Sequence, residues 1–413
     1  MKFLRVPLVV IVGLAVGVVG LLLKNTCATT GWGGSAYTYM NLCYSDIGPL
    51  YYLRGFADNL FPYFDNYQGQ YLEYPVLTGL TMWLANMFLG VVSDTASGAG
   101  FVYSNWILNL VFISAAIAVI SKIKSANQNA AWWFALSPAL LLTLGINWDA
   151  LAVLLAVTAV LMWQTNRVVY AGIAIGLGAA AKLFPALILI PIAIDVYRSR
   201  SWLSGFKTLV AAGGAWLAIN LPFIIFAREG WFEFYRFSSI RGIDFGSPWL
   251  GLKYVFDVSV STEMANLFGL GAVGITSVFL FIARKRIDFI TGVFVVVAVF
   301  ALFNKVYSPQ FWIWLAPLAA LTAIRLRHFI FWNLAQTIYF YSIWRFLLYM
   351  TDVSIDGGVN SREYGLAIVL MWLSTAALVG FALAGSWKSS GALARTGELQ
   401  TETAPTSRSS LAT

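Results

Sequence analysis

Residues 6–23, VPLVVIVGLAVGVVGLLL, form an 18-residue apolar run without a single charge, bracketed by Arg5 and Lys24. A run of this length matches the roughly 20 residues a helix needs to cross the hydrocarbon core of a bilayer. It is longer than the h-region of a signal peptide, which spans about 7 to 15 residues, and no A-x-A site follows it, so a retained first helix is the better reading. The pattern repeats along the chain. Apolar runs are expected at 75–93, 102–121, 130–145, 148–164, 168–181, 183–197, 208–227, 264–283, 287–303, 309–324, 328–347 and 364–384. The 413 residues are 60% hydrophobic and 11% charged, with a mean hydropathy of +0.76. A soluble domain carries about 25% charged residues. Continuous runs exclude an outer-membrane barrel, whose strands alternate in polarity. The expected fold is all-α, a polytopic transmembrane bundle of about 12 or 13 membrane segments.

The net charge of +8 does not indicate a nucleic-acid partner. Basic residues sit at the ends of apolar runs, as cytoplasmic anchors do: Arg198 with Arg200, Arg284 to Arg286, and Arg325 with Arg327. These clusters place Asn147 to Asp149, Lys182, the 228–263 loop, the 304–310 segment and the 348–363 loop on the outer side. Thirteen crossings cannot leave both ends inside, and Lys122 and Lys124 also look cytoplasmic. A short or re-entrant segment between 75 and 145 would reconcile the count. The Ser/Thr-rich tail, 386–413, is expected to be disordered and cytoplasmic, leaving 1–385 as the membrane domain.

The first loop, 24–74, is expected outside, since it holds Asp46, Asp58, Asp65 and Glu73 against Arg54. Its two cysteines, Cys27 and Cys43, are the only ones in the chain, and are either bridged or two free thiols. Within it, Leu50, Leu53, Phe56 and Ala57 fall at helical spacing beside several tyrosines, which suits a helix lying in the interface. An acid at the boundary avoids much of the roughly 2.5–3.5 kcal/mol an aspartate costs at mid-membrane. Asp46 and Glu73 both occupy such boundaries. In "EYPVLTG" (73–79), Pro75 suits a first helical turn and Glu73 complements the helix dipole, so capping alone is one account of Glu73.

Lys182, in "AKLFPALILIP" (181–191), interrupts a long apolar stretch at a point where Phe184–Pro185 predicts a helix break. It is a candidate point charge for a phosphate, or a side chain snorkelling to the interface. Arg236 and Arg241, in "EGWFEFYRFSSIRGIDFGSPW" (229–249), can bind phosphate through paired hydrogen bonds, beside aromatics able to stack on sugars. "NKVYSPQ" (304–310) adds Lys305, Tyr307 and Gln310. Two cysteines and one histidine exclude a His/Cys metal site, and Gly172, Gly176 and Gly178 read as helix-packing positions rather than a nucleotide loop.

The order of these motifs, an early acid in the first loop, then "EYPVLTG", "NWDALAV" (147–153), "AKLFPALILIP", the 229–249 segment and "NKVYSPQ", resembles the GT-C superfamily of polyprenyl-phosphate-sugar glycosyltransferases. It is most similar to the bacterial glycosyltransferase 87 group near actinobacterial mannosyltransferases. "EYPVLTG" resembles the Asp-Tyr-Pro-Pro stretch of eukaryotic members, with Val76 in place of the second proline. The resemblance runs through most of 1–385. It implies an inverting transferase with Asp46 as catalytic base. It also implies a polyprenyl-phosphate hexose donor, mannose favoured, and a glycolipid or glycan acceptor at the outer face of a bacterial plasma membrane. Glu73, Tyr74, Asn147, Asp149, Lys182, Arg236, Arg241, Lys305, Tyr307 and Gln310 would bind substrate, with no metal and no cofactor. The alternative is a polytopic transporter or lipid flippase, which would place ionisable residues near the bilayer midplane and often carries internal repeats.

Overall fold

A computed structural model of the chain describes residues 2–88, 98–351 and 357–402, with side-chain environments from residue 6 to 388. The regular elements of the described residues are all helices, and the only β-type pairings among them are isolated bridges at Pro62–Asp65 and Tyr67–Gln70. Among the described residues, five segments are long and apolar enough to cross a membrane: Val6–Thr30, Gly98–Ile120, Trp202–Phe226, Thr262–Ile282 and Ser361–Lys388. The first is mostly α1 (Lys2–Lys24), and the next is α5 (Gly98–Ile120). The others are α11 (Trp202–Phe226), α14 (Thr262–Ile282) and the first part of α18 (Ser361–Glu402).

Short apolar helices fill the space between them. These include α4 (Val76–Met87), α8 (Asp149–Gln164), α9 (Val168–Ala181), α15 (Phe289–Phe303) and α16 (Phe311–Ala320). At 1.5 Å per residue, helices of 10 to 17 residues reach about 15–25 Å, short of the ~30 Å core. The 12 or 13 segments expected from hydropathy are therefore not all full-length spans, because hydropathy registers apolar content and is blind to where a helix is cut.

Burial sorts the helices by neighbour. α15 and α16 are apolar on every face, and Val293 to Ala298 and Trp312 to Ala320 are all buried, so these two helices form the centre. α11 and α14 are also apolar, but only 17% and 11% of their most hydrophobic windows are buried. Phe206, Leu209, Ile225, Leu267, Leu270 and Ile275 point away from the protein. Apolar surface on this scale is compatible with lipid and not with water. The chain is a multi-pass membrane protein.

The 130–145 run does not form one helix. It breaks into α6 (Ala130–Ala135) and α7 (Pro138–Thr143), because Pro138 cannot continue a helix and Ser137 caps the second piece through Ala139 N–H. At about 1.5 Å per residue, these two pieces are too short to span the hydrocarbon core as one straight helix. The 198–200 and 284–286 basic clusters meet at one end of the bundle. Arg198 bonds the Arg284 carbonyl, Trp163 bonds Asp195, and the Lys124 backbone is bonded on both sides by Gln164.

Two expectations are corrected. The first loop holds α3 (Ile47–Leu53) and a 3₁₀ turn (Phe56–Asp58), but Leu50, Leu53, Phe56 and Ala57 do not share one face. Gly55, at φ 71°, stops the helix between them. Tyr51 and Phe56 are buried against Phe101 of α5, with ring centroids 5.2 Å away in each pair, so this helix packs on protein and only Tyr52 and Leu53 remain exposed. Secondly, α18 continues through Ser386 to Glu402 instead of giving way to a disordered tail at 386. No proline intervenes before Pro405, which disfavours helix at the residue before it. Residues 403–413 of that tail lie outside the described residues.

Candidate active site

The site is built where the first loop meets the starts of α4 and α8 and the end of α9. Three features bind the loop in place. Cys27 and Cys43 are bridged and buried. Ser45 donates its hydroxyl to Gly145 O at 2.7 Å, and Asp46 N–H bonds Ile146 O at 2.9 Å. Tyr63 donates to the carbonyls of Tyr74 and Pro75, at 3.0 and 2.8 Å, which fixes the entry to α4. Pro75 is the N-cap residue of α4, with an extended backbone, rather than a residue inside its first turn.

Asp46 is half-buried and has a partner on each oxygen. Tyr44 Oη donates to Oδ1 at 2.8 Å, and Asn147 Nδ2 donates to Oδ2 at 2.9 Å. The second proton on Asn147 Nδ2 goes to Tyr74 Oη at 3.0 Å. Asn147 cannot flip, because its Oδ1 accepts from Trp148 N–H at 2.6 Å. Two residues on, Asp149 opens α8 with its side chain only 3% exposed, and pairs with Lys182 Nζ at 3.1 Å. Lys182 caps α9 in an extended conformation (φ −154°, ψ 146°), at the break before the 3₁₀ turn Phe184–Ile188. Its ammonium also lies 5.0 Å from the centroid of the Tyr74 ring. Thr78 of α4 donates to Ala181 O at 2.7 Å and keeps that break beside Tyr74.

Five of the residues picked from sequence, Asp46, Tyr74, Asn147, Asp149 and Lys182, thus join in one chain of polar contacts drawn from four parts of the sequence. Burial raises the Asp46 carboxyl above the ordinary carboxylate range, and Asp149 adds to this. The hydrogen bonds from Tyr44 and Asn147 and the charge of Lys182 pull it back. The Tyr44 phenol is raised, first by the negative charge of Asp46 and then by burial, so it stays a donor. Tyr74 is raised by its burial and then by Asp46.

A second group forms around Arg241 and Lys305. Arg241 pairs with Asp244 at 2.6 Å, and Asp244 N–H bonds Lys305 O at 2.9 Å. Tyr307 N–H bonds Phe245 O, while its buried hydroxyl donates to Gln336. Lys305 Nζ donates to Ser238 O at 2.8 Å, and its amine is lowered by burial and then by Arg241. The remaining sequence choices are placed apart. Glu73 is gripped by Arg54 through two bonds of 2.6 and 2.9 Å, with Gln70 beside them. Arg236 is exposed and paired with Glu233 on α12 (Arg228–Ile240). Gln310 is buried at the start of α16.

No protein-family model matches the chain, and no curated protein matches its sequence. Among solved structures, ArnT from Cupriavidus metallidurans bound to undecaprenyl phosphate superposes with a TM-score of 0.42 at 14% identity. The match covers 80% of this chain and 71% of that one. So loose a superposition carries no inference about fold or activity here.

Two groups at the site escaped sequence reasoning. Tyr44, two residues before Asp46, had no signal beyond its aromatic neighbours. Lys24 closes the first apolar run, where a lysine reads as an interface anchor, yet it is 3% exposed and its amine donates to Tyr44 O at 3.3 Å.

Proposed function

We propose that the chain is an integral-membrane, inverting glycosyltransferase that moves a hexose, mannose favoured, from a polyprenyl-phosphate sugar to a glycolipid or glycan acceptor. The motif resemblance to the GT-C superfamily names the reaction, and one structural observation supports it. Asp46, fixed by Tyr44 and Asn147, belongs to one chain of polar contacts with the Lys182–Asp149 pair, at the start of α8 and the end of α9. In the proposed reaction Asp46 Oδ2 or Oδ1 accepts the acceptor hydroxyl proton as the acceptor oxygen bonds the anomeric carbon. The carbon–oxygen bond to the phosphate breaks on the opposite face, and the prenyl phosphate leaves with the electron pair. Positioned base catalysis is worth about 10²–10⁴-fold. In this reading Lys182 and Arg241 are the cations that stabilise the departing phosphate.

A buried disulfide in the first loop suits an oxidising compartment, which supports the outer face of the membrane. Glu73, tied to Arg54, supports the loop and reaches substrate only through it. Arg236, on the exposed side of α12, would meet lipid headgroups or the distal part of an acceptor. The test is transfer by purified full-length protein in nanodiscs, comparing labelled polyprenyl-phosphate mannose, glucose and arabinose with lipid-extract acceptors. Acceptor-dependent release of prenyl phosphate, absent in Asp46→Asn, supports the reading. Movement of intact prenyl-phosphate sugar between leaflets, with no transfer by wild type, would replace it with a flippase.

A further inference from the structure

Two asparagines of α5, Asn105 and Asn109, stand four residues apart on one face of a largely apolar helix. A buried amide in a membrane helix is costly unless its hydrogen bonds are made. Both side chains are buried, and both bond the segment that joins α7 to α8. Asn109 Nδ2 donates to Leu144 O at 3.1 Å and to Asn147 O at 2.9 Å, so one amide ties the two sides of that turn together. Asn105 Oδ1 accepts the Trp148 indole N–H at 2.5 Å, and its Nδ2 donates to Phe101 O within α5. Between the tied carbonyls, Gly145 O accepts from Ser45 and from the Trp106 indole, and Ile146 O accepts from Asp46 N–H. The four consecutive carbonyls from Leu144 to Asn147 are thus all held, by α5 and by the first loop. The turn they form carries Asn147, whose side chain bonds Asp46 and Tyr74.

We propose that Asn109 is a positioning residue: by fixing the Asn147 backbone from α5, it sets the Asn147 amide against the Asp46 carboxylate and the Tyr74 hydroxyl. This deepens the proposed function and rests on the reading of Asp46 as the base. The Asn147 side chain has no freedom to compensate for a displaced backbone. Its Oδ1 is bound to the N–H of its own neighbour Trp148, so the amide moves with the turn. Hydrogen bonds weaken steeply when misaligned, so a turn released from Asn109 loses its hold on Asp46. The Asn147 N–H favours the ionised form of Asp46, as do the Tyr44 hydroxyl from the same loop and the charge of Lys182 from the end of α9, while Asp149 of α8 opposes it. Tyr74, from the segment before α4, shares the Asn147 amide, and Lys24, at the end of α1, meets the loop at the Tyr44 carbonyl.

The experiment reads the Asp46 carboxyl directly, by infrared titration of the full-length protein in nanodiscs, with the band assigned by its loss in Asp46→Asn. Asn109→Leu keeps the side chain's approximate size and removes both donated bonds. Asn109→Ser, whose single donor serves only one of the two carbonyls, takes its place if the leucine variant does not fold. Either should move the Asp46 midpoint upward by about half a pH unit, the share of one neutral hydrogen bond. In an Asn147→Ala background the same change should add nothing, since the route to Asp46 is already cut. Asn86→Ala removes a different buried amide, bonded to Phe56 O at 3.1 Å, and should lower the melting temperature with the midpoint in place. In transfer assays Asn109→Leu should lower kcat with donor KM unchanged, by less than the ~10²-fold expected for loss of the base. A wild-type midpoint in the Asn109 variant, or a further shift in the Asn147→Ala background, would overturn the proposal, leaving Asn109 as a support of the turn alone. An equal shift in Asn86→Ala would also overturn it, since general loosening would then be the cause. If wild type transfers no sugar, the glycosyltransferase reading fails, while the infrared midpoints still decide the role of Asn109.

Discussion

Asp46 sits where burial opposes its charge, and Tyr44, Asn147 and Lys182 each restore part of what burial removes. Under the proposed reaction, Asp46→Asn keeps the side chain's size and one of its two acceptor oxygens and loses basicity, so transfer should fall by at least about 10²-fold in a purified-protein assay. The same substitution predicts a stability effect with a definite sign. A carboxyl raised in the folded state costs stability once pH exceeds its unfolded value of about 3.9, and the full cost is present above its folded value. Asp46→Asn should therefore melt at or above the wild-type temperature at pH 7.5, with the gap closing on acidification. A clearly lower melting temperature at pH 7.5 would mean that the carboxylate is structurally required. Lys182 gives a complementary case. Removing its charge in Lys182→Met leaves Asp149 buried and unpaired, so that variant should lose both stability and donor affinity, while Lys182→Met/Asp149→Asn should regain the stability alone. Thermal melts and crosslinking to a lipid-phosphate photoprobe separate the two effects. Asp46 and Lys182 were legible in the sequence because each interrupts or borders an apolar run. Lys24 was not, since a lysine ending a membrane helix has an ordinary explanation and only three-dimensional burial removes it.

At the scale of elements, the close pair α9 and α11 shows how glycine spacing positions the site. A Cβ at Gly172 or Gly176 would collide with the carbonyl oxygens of Thr208 or Ala212, so these two small residues let the helix backbones approach. That approach sets the height of Lys182, six residues beyond Gly176. Gly176→Val should force the helices apart, destabilise the fold by about 1–3 kcal/mol and reduce transfer with them. Gly213→Ala, where an added Cβ meets nothing within 4 Å, should have little effect in the same melts. The first loop answers to a different constraint. Its bridge closes a 16-residue separation, and opening it with Cys27→Ser/Cys43→Ser should cost about 3 kcal/mol of loop order. The glycine-packing role was readable from spacing. The failure of 47–58 to form one interfacial helix was not, because apolar periodicity alone does not register the left-handed conformation of Gly55.

For the whole molecule, the site and the basic clusters occupy opposite ends of α8, Asp149 at its start and Gln164, bonded to Lys124, at its end. The 16 residues of α8 separate them by about 24 Å. If the membrane lies between, Asn66→Cys in the first loop should react with an impermeant maleimide in intact cells and Ser125→Cys should not. Labelling of both, or only of the second, would overturn the outer-face assignment. The sequence by itself determined the membrane class and most helix positions, including the break at Lys182, because length, hydropathy and proline placement are local properties. It also singled out the acids and cations at the helix ends. Only the tertiary structure decided which of them meet. Hydrogen bonds from Asn147 to Asp46 and Tyr74, and the pairing of Lys182 with Asp149, join residues up to 101 positions apart. It also decided that Glu73 belongs to Arg54 and Arg236 to Glu233. Pairing depends on distance and burial across the bundle, and a linear pattern of charges contains neither.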